Sequence, residues 1–329
     1  MPASRHTVLP GLSAATYVRH PLHGEDRIWV EKNCYADLFI ELVHALGLEP
    51  AAMLPFTLAV DFEGDQWTFF KPSHTEMREL YGIDVQEMTA WRPLIEHAVE
   101  HLSAGRLIST EADAWWMPDT AGTDYRTKHT KTTIVLADLD LEAQRLGYFH
   151  NAGYYELEGE DFRSIFRLDE PADEAYLPLF AELVRVDRVQ RRDTAELVEM
   201  SKALVHRYLA WRPATNPVRR FAERFVEDLP SMQERGLAHY HAWAFGTVRQ
   251  LGAAFELAAE NLKWLSANGG GDFSAAAAPF ERIAQANKAL ILKVARAVNA
   301  KRALDAAALF DEMAADWEAG MAATQAALG

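Results

Sequence analysis

The sequence predicts an α+β protein in two parts. Three observations carry that reading. Short helical patterns, each stopped by glycine or proline, occupy the chain up to about residue 104. Runs rich in Thr, Ile and Val then follow, separated by turn residues, as in an antiparallel meander. From Asp173 onward the pattern is helical throughout, rich in Ala and poor in β-branched residues. We therefore expect an α+β domain over residues 1–170 and an all-α helical bundle over 171–329.

Residues 1–30 read as an irregular arm, with Arg27–Val30 extended toward Asn33. Asn33 is a good N-cap residue, because its side-chain oxygen can accept from the free amides of a first helical turn. Behind it Leu38, Phe39, Leu42, Val43 and Leu46 recur at helical spacing, and Gly47 closes the run. Pro50–Ala59 reads as a short helix, Asp61–Asp65 as a turn and Gln66–Phe70 as a short strand. Ser73 and Glu76 form a capping-box pattern opening a helix to Tyr81, and Ile83–Glu87 reads as a strand. Trp91–Ala104 is amphipathic, with Leu94, Ile95, Ala98, Val99 and Leu102 on one face. Strands are expected at 106–112, 128–137, 146–150 and 154–158, with a long loop after the first. Helices are expected near 173–190, 194–211, 216–227, 231–267, 275–300 and 303–327.

Composition narrows the classes of function. The formal net charge of −15 argues against nucleic acid as the main partner. No apolar run reaches membrane-spanning length, and Met1–His23 lacks a basic-then-apolar signal pattern. Cys34 is the only cysteine, so an internal disulfide is excluded and a reducing cytoplasm is expected.

Cys34 falls at the first helical position, where unpaired amides and the helix dipole favour a thiolate. Its bland reading is a small apolar residue at a buried helix end. His129 opens the Thr-rich strand, and Asn151 ends the next one. If those strands pair as a hairpin, both come to one end of the sheet. A cysteine, a histidine base and a side chain that orients the ring make the working set of cysteine hydrolases and acyltransferases. The chain order Cys34, His129, Asn151 satisfies it. Asp113, Asp138 and Asp140 are alternatives for the third role, and Asn33, His150 and Asp113 for oxyanion or supporting roles. Trp115, Trp116 and Tyr125 in the long loop are candidates to wall a substrate site, or else cover for the core.

The residues Asn33-Cys34-Tyr35, then Gly105–Thr110, Asp113, Pro118, Tyr125 and Lys128-His129, follow one another in order. In this the first half resembles the papain-like N-terminal domain of the butirosin-biosynthesis acyltransferase. Over most of its length the chain resembles a bacterial family of unassigned function that carries the Tyr-Phe-His-Asn segment and a helical second half. The first resemblance implies a papain-like fold. It implies a cysteine that takes an acyl group from a carrier-protein thioester and passes it to a small-molecule amine, with Cys34 as nucleophile and His129 as base. No Gln stands ahead of Cys34 as in papain-type proteases, so the oxyanion would rest on the Cys34 amide and a donor such as Asn33. A cysteine amidase or peptidase, with water as acceptor, and a non-catalytic binding protein of this fold are the alternatives.

Neither a cofactor nor a metal is expected. His97, Glu100 and His101 fit the spacing His-x-x-Glu-His, but no third ligand is evident, and they read as a solvated polar face. In the helical half, Arg249 and Gln250 on a helix expected from Leu237 to Leu265 are candidates for substrate binding. Between Arg185 and Arg224 ten basic residues oppose five acidic ones, a candidate docking face for an acidic carrier protein or simply a solvated helix surface.

Overall fold

The computed structural model describes residues 5–170 and 179–329. In chain order it runs through β1 (Arg5–Thr7), α1 (Cys34–Ala45), a 3-10 stretch at Pro50–Ala59, β2 (Phe62–Glu63), β3 (Gln66–Trp67) and α2 (His74–Tyr81). There follow β4 (Asp84–Glu87), α3 (Leu94–Ser103), β5 (Arg106–Asp113), β6 (Lys131–Asp140), β7 (Arg145–His150), β8 (Gly153–Glu158), α4 (Gly159–Ile165) and β9 (Ala181–Arg185). The rest is helical: α5 (Thr194–Ala210), α6 (Pro217–Arg235), α7 (Leu237–Gly246), α8 (Val248–Ala267), α9 (Ser274–Ala300) and α10 (Ala307–Leu328). The chain divides into two units, one of Met1–Pro21, Cys34–Glu49 and Ser73–Arg191, the other of Leu22–Asn33, Pro50–Pro72 and Arg192–Gly329.

In the first unit the described strands form an antiparallel sheet in the order β4-β9-β5-β6-β7-β8, with β1 beside the far end of β6. β6 is buried along nearly its whole length, which is why its sequence is a continuous apolar and Thr run rather than an alternating one. One face carries Ile134, Leu136, Leu146, Tyr148 and Leu157, packed with Ala98 and Leu102 of α3 and Phe162 of α4. The other face carries Thr133, Val135 and Phe149, and α1 lies against it. Leu38, Phe39, Ile40, Leu42 and Val43 of α1 are fully buried, each worth roughly 1.5–3 kcal/mol of transfer free energy. The N-terminal arm is tied to this layer by the Tyr17 ring against Phe149 and Tyr154, with its hydroxyl on the buried Glu41 carboxylate. Gly82 caps α2 at φ 71° and has no room for a side chain, since a Cβ there would lie 2.0 Å from the Arg188 carbonyl oxygen.

The core of the second unit is aromatic: Phe62, Trp67, Phe221, Phe225, Trp243 and Phe310 stack edge and face on one another. α8 is buried nearly all round, and its Gly252, Ala253, Ala254, Ala258 and Ala259 let neighbours approach closely.

Several expectations are corrected. The helix expected near 173–190 is replaced over 181–185 by β9, while its start falls outside the described residues. β9 fills the slot between β4 and β5 and is hydrogen-bonded on both edges, which outweighs the local helical preference of Ala181, Glu182 and Leu183. The long helix expected from Leu237 to Leu265 is broken at Thr247, at φ −123° and ψ −87°. Its hydroxyl donates to the Trp243 carbonyl at 2.7 Å, offering the backbone an alternative partner at the break. α6 runs on through Pro230 to Arg235, where separate helices were expected. Ser73 is the N-cap residue of α2 but makes no side-chain capping bond, and Glu76 is buried.

Candidate functional site

α1 begins at Cys34, whose side chain is half-buried and whose Sγ lies 3.9 Å from Thr133 Oγ1. Glu111 stands opposite Thr133 and Asp113 opposite Lys131, so by the two-residue strand period Glu111 and Asp113 share the Thr133 face of the sheet. Asp113 uses both carboxylate oxygens. Oδ1 accepts from the Trp115 amide at 3.1 Å and starts a 3-10 turn at Ala114–Trp116, while Oδ2 meets His129 Nδ1 at 2.6 Å. The exposed His129 ring stacks on Trp115, centroid to centroid 4.6 Å. With Nδ1–H donated to Asp113, Nε2 is the basic atom of this imidazole. His129 precedes β6 by two residues and stands four residues from Thr133, a span of about 13 Å in extended chain.

The other expected residues take distinct places. Asn151 sits in the β7–β8 turn at φ 42°, and the pairing of Val135 with Phe149 brings that turn to the same end of the sheet as Thr133. His150 is fully buried on the opposite face, between Asp119 Oδ2 at 2.5 Å and Thr132 Oγ1 at 2.8 Å, with the Tyr148 hydroxyl also on Asp119. This network fastens the long loop to β6 and β7. Trp116 packs against the core under the Arg126 guanidinium, and Tyr125 donates to Asp161 at 2.9 Å, so of the three loop aromatics Trp115 is the one that meets His129.

In the second unit, Arg249 holds the chain that leads into α1. It donates to the carbonyls of Lys32 at 3.3 Å and Glu31 at 3.2 Å, and it pairs with the Glu31 carboxylate at 3.6 Å. Asn33 Nδ2 donates to the Phe70 carbonyl at 2.9 Å. Gln250 is buried, with Nε2 on the Phe245 carbonyl and Oε1 without a partner among the described residues.

The profile of the DUF1839 N-terminal domain matches residues 18–186, and that of the DUF1839 C-terminal domain matches residues 194–326. The chain belongs to the DUF1839 family. No curated protein matches it. Cys34, Asp113 and His129 all fall within the DUF1839 N-terminal domain, and Arg249 and Gln250 within the DUF1839 C-terminal domain.

A second histidine–carboxylate group in this DUF1839 N-terminal domain was not legible in the sequence. Glu182 is 1% exposed and accepts from the Tyr35 hydroxyl at 2.9 Å and Ser109 Oγ at 3.1 Å, with His74 Nε2 at 3.2 Å. Burial pushes this carboxyl up, but the donors from His74, Tyr35 and Ser109 outweigh it and hold it below the ordinary glutamate range. Glu182 lies on the stretch expected to be helical, and His74 stands between Ser73 and Glu76 of the capping-box pattern, so neither carries a signal of its own in the sequence.

His97 and His101 stack 6.1 Å apart, and His97 is 4% exposed, so it faces inward rather than forming the expected solvated face. Burial lowers the pKa of both rings. Among the described residues no group of three His, Cys, Asp or Glu is arranged to hold a metal. Several arginines of the basic stretch hold the chain's own carboxylates: Arg185 with Asp84, Arg192 with Glu196, Arg219 with Glu318, Arg220 with Asp61 and Arg224 with Asp228. Among the described residues no helix is long and apolar enough to cross a membrane.

Proposed function

We propose that this protein transfers acyl groups through Cys34, from a thioester on an acidic carrier protein to a small-molecule amine. The observation that carries the reading is the Asp113–His129 pair, held on the Cys34 face of the sheet with its imidazole open to solvent. Asp113 orients the ring and leaves Nε2 to take the thiol proton. This reading requires the His129 ring to reach the sulfur, and residues 128–130, which lie outside any strand, are where that approach would be made. The thiolate attacks the thioester carbonyl, the C–S bond to the carrier breaks, and the proton passes to the departing thiol. The amides at the start of α1 stabilise the oxyanion. The likeness of the first half to a papain-like acyltransferase domain supports the same assignment.

Intact-mass measurement tests it. Incubation with the acetyl thioester of N-acetylcysteamine should add one acetyl group to the wild type and none to Cys34→Ala. His129→Gln should slow acetylation by about a hundredfold or more. Absence of the adduct together with unchanged turnover in Cys34→Ala rejects the reading.

A further inference from the structure

Cys34 touches Thr133, and two histidine–carboxylate pairs lie on that one face of the sheet. The register sets out the second pair. Thr133 is opposite Glu111 on β5, Ser109 is two residues further along, and Glu182 of β9 is opposite Ser109. Two strand spacings and two residues separate the Thr133 and Glu182 backbones by about 12 Å, with Cys34 Sγ 3.9 Å from Thr133 Oγ1 and His74 Nε2 3.2 Å from Glu182.

The hydrogen bonds of this group define its proton positions. The Tyr35 hydroxyl lies 2.8 Å from His74 Nε2 and donates to Glu182 at 2.9 Å. Ser109 donates to the same carboxylate at 3.1 Å. Glu182 has only acceptor oxygens, and the Tyr35 proton is already committed to it. The proton between His74 and its two neighbours is therefore on Nε2. Every side-chain hydrogen bond of His74 among the described residues runs through that nitrogen. Nδ1 is left as the basic atom, on a ring about a third exposed, at 34%. A carboxylate kept ionised behind the ring stabilises the imidazolium that forms when Nδ1 takes a proton. Tyr35 follows Cys34 directly in α1, so the residue that orients this histidine is carried by the same helix start as the sulfur.

We infer that His74 is the acceptor-side base, which takes a proton from a primary ammonium and so frees the amine that attacks acyl-Cys34. This rests on the reading of Cys34 as the nucleophile. In the step the amine nitrogen bonds to the acyl carbon and the carbon–sulfur bond breaks. The ammonium proton has already gone to His74 Nδ1, and the proton that the nitrogen loses on acylation passes to the departing Cys34 sulfur. Tyr35 and Glu182 are positioning residues for that ring. His129 serves the entry of the acyl group and His74 its exit.

The test separates the two halves of the reaction. The acetyl thioester of N-acetylcysteamine is the donor, with glycine or hydroxylamine as acceptor near neutral pH. Glycine arrives mainly as an ammonium and needs a base. Hydroxylamine is already neutral and needs little help. In His74→Gln, acetyl-Cys34 should form at the wild-type rate and pass to hydroxylamine within about twofold of it, while transfer to glycine falls at least about tenfold. Tyr35→Phe, which keeps the ring against Phe39, should show a smaller loss with the same selectivity for glycine. A purely structural role would lower both acceptors together. Parallel losses, or no loss, in His74→Gln while acetyl-Cys34 still forms overturn this assignment alone. Absence of acetyl-Cys34 in the wild type overturns the nucleophile and this assignment with it.

Discussion

Gly252→Ala should destabilise the protein although it replaces glycine by the best helix former inside a helix. On propensity alone the change in α8 would stabilise by about 1 kcal/mol. The structure reverses the sign. A Cβ built at Gly252 would lie 2.6 Å from Trp29 Nε1 and 2.7 Å from Cε2 and Cζ2 of the same ring. The indole must retreat by about 1 Å to reach an ordinary contact distance. It is 5% exposed and cannot move into water, and its Nε1 donates to the Ala284 carbonyl at 3.3 Å. Overpacking of this kind costs about 1–3 kcal/mol, and a buried donor left without its acceptor costs about 1–3 kcal/mol more. Set against the propensity gain of about 1 kcal/mol, the net loss is about 1–5 kcal/mol. Urea unfolding followed by circular dichroism, with the m-value compared between variants, reads it directly. A variant as stable as the wild type, or more so, would refute the packing argument and return the decision to helix propensity.

Two of the buried glutamates, Glu182 and Glu256, should respond to acid in opposite senses. Glu182 is held below the ordinary range, so its contribution is complete above that range and lost as pH falls through the lowered value; Glu182→Gln should flatten the acid limb of a plot of Tm against pH. Glu256 is held above it, mainly by burial, against Lys32 and the amides of Trp29 and Ile28; the fold then loses stability as pH rises from the ordinary to the raised value, and Glu256→Gln should remove that fall. Identical profiles for the two variants would contradict this. Asp119→Ala strips the acceptor from His150 and Tyr148 in the buried network and should cost about 3–5 kcal/mol by chemical denaturation, with faster amide exchange over residues 114–130. Arg249→Met releases the carbonyls of Glu31 and Lys32 and should cost only about 1 kcal/mol, because the guanidinium is partly exposed, yet it should slow acetylation of Cys34, as timed by mass spectrometry.

Features written within one turn or one strand were legible without coordinates. The start of α1 at Cys34, its apolar face, the Thr-rich β6 and the helical second half all follow from local spacing and caps. The hairpin that brings His129 and the Asn151 turn to one end of the sheet was also readable, because β6 and β7 are neighbours in sequence. The partner of the His129 ring was not. Chain order favours Asn151, with Asp113, Asp138 and Asp140 as alternatives, and the contact of the ring with Asp113 comes from the β5–β6 register, across a loop whose length says nothing about pairing. β9 shows the limit most clearly. Ala181, Glu182 and Leu183, whose own preference is helical, become part of a strand because pairing with β4 and β5 satisfies their backbone on both sides. That insertion carries Glu182 to Ser109, seventy-three positions earlier in the chain, and to His74 and Tyr35 beyond it. Sequence alone therefore determined which segments fold and where the sulfur sits on its helix. Which polar groups face that sulfur was decided by strand pairing over long separations, where hydrogen bonds satisfied by distant chain outweigh local preference.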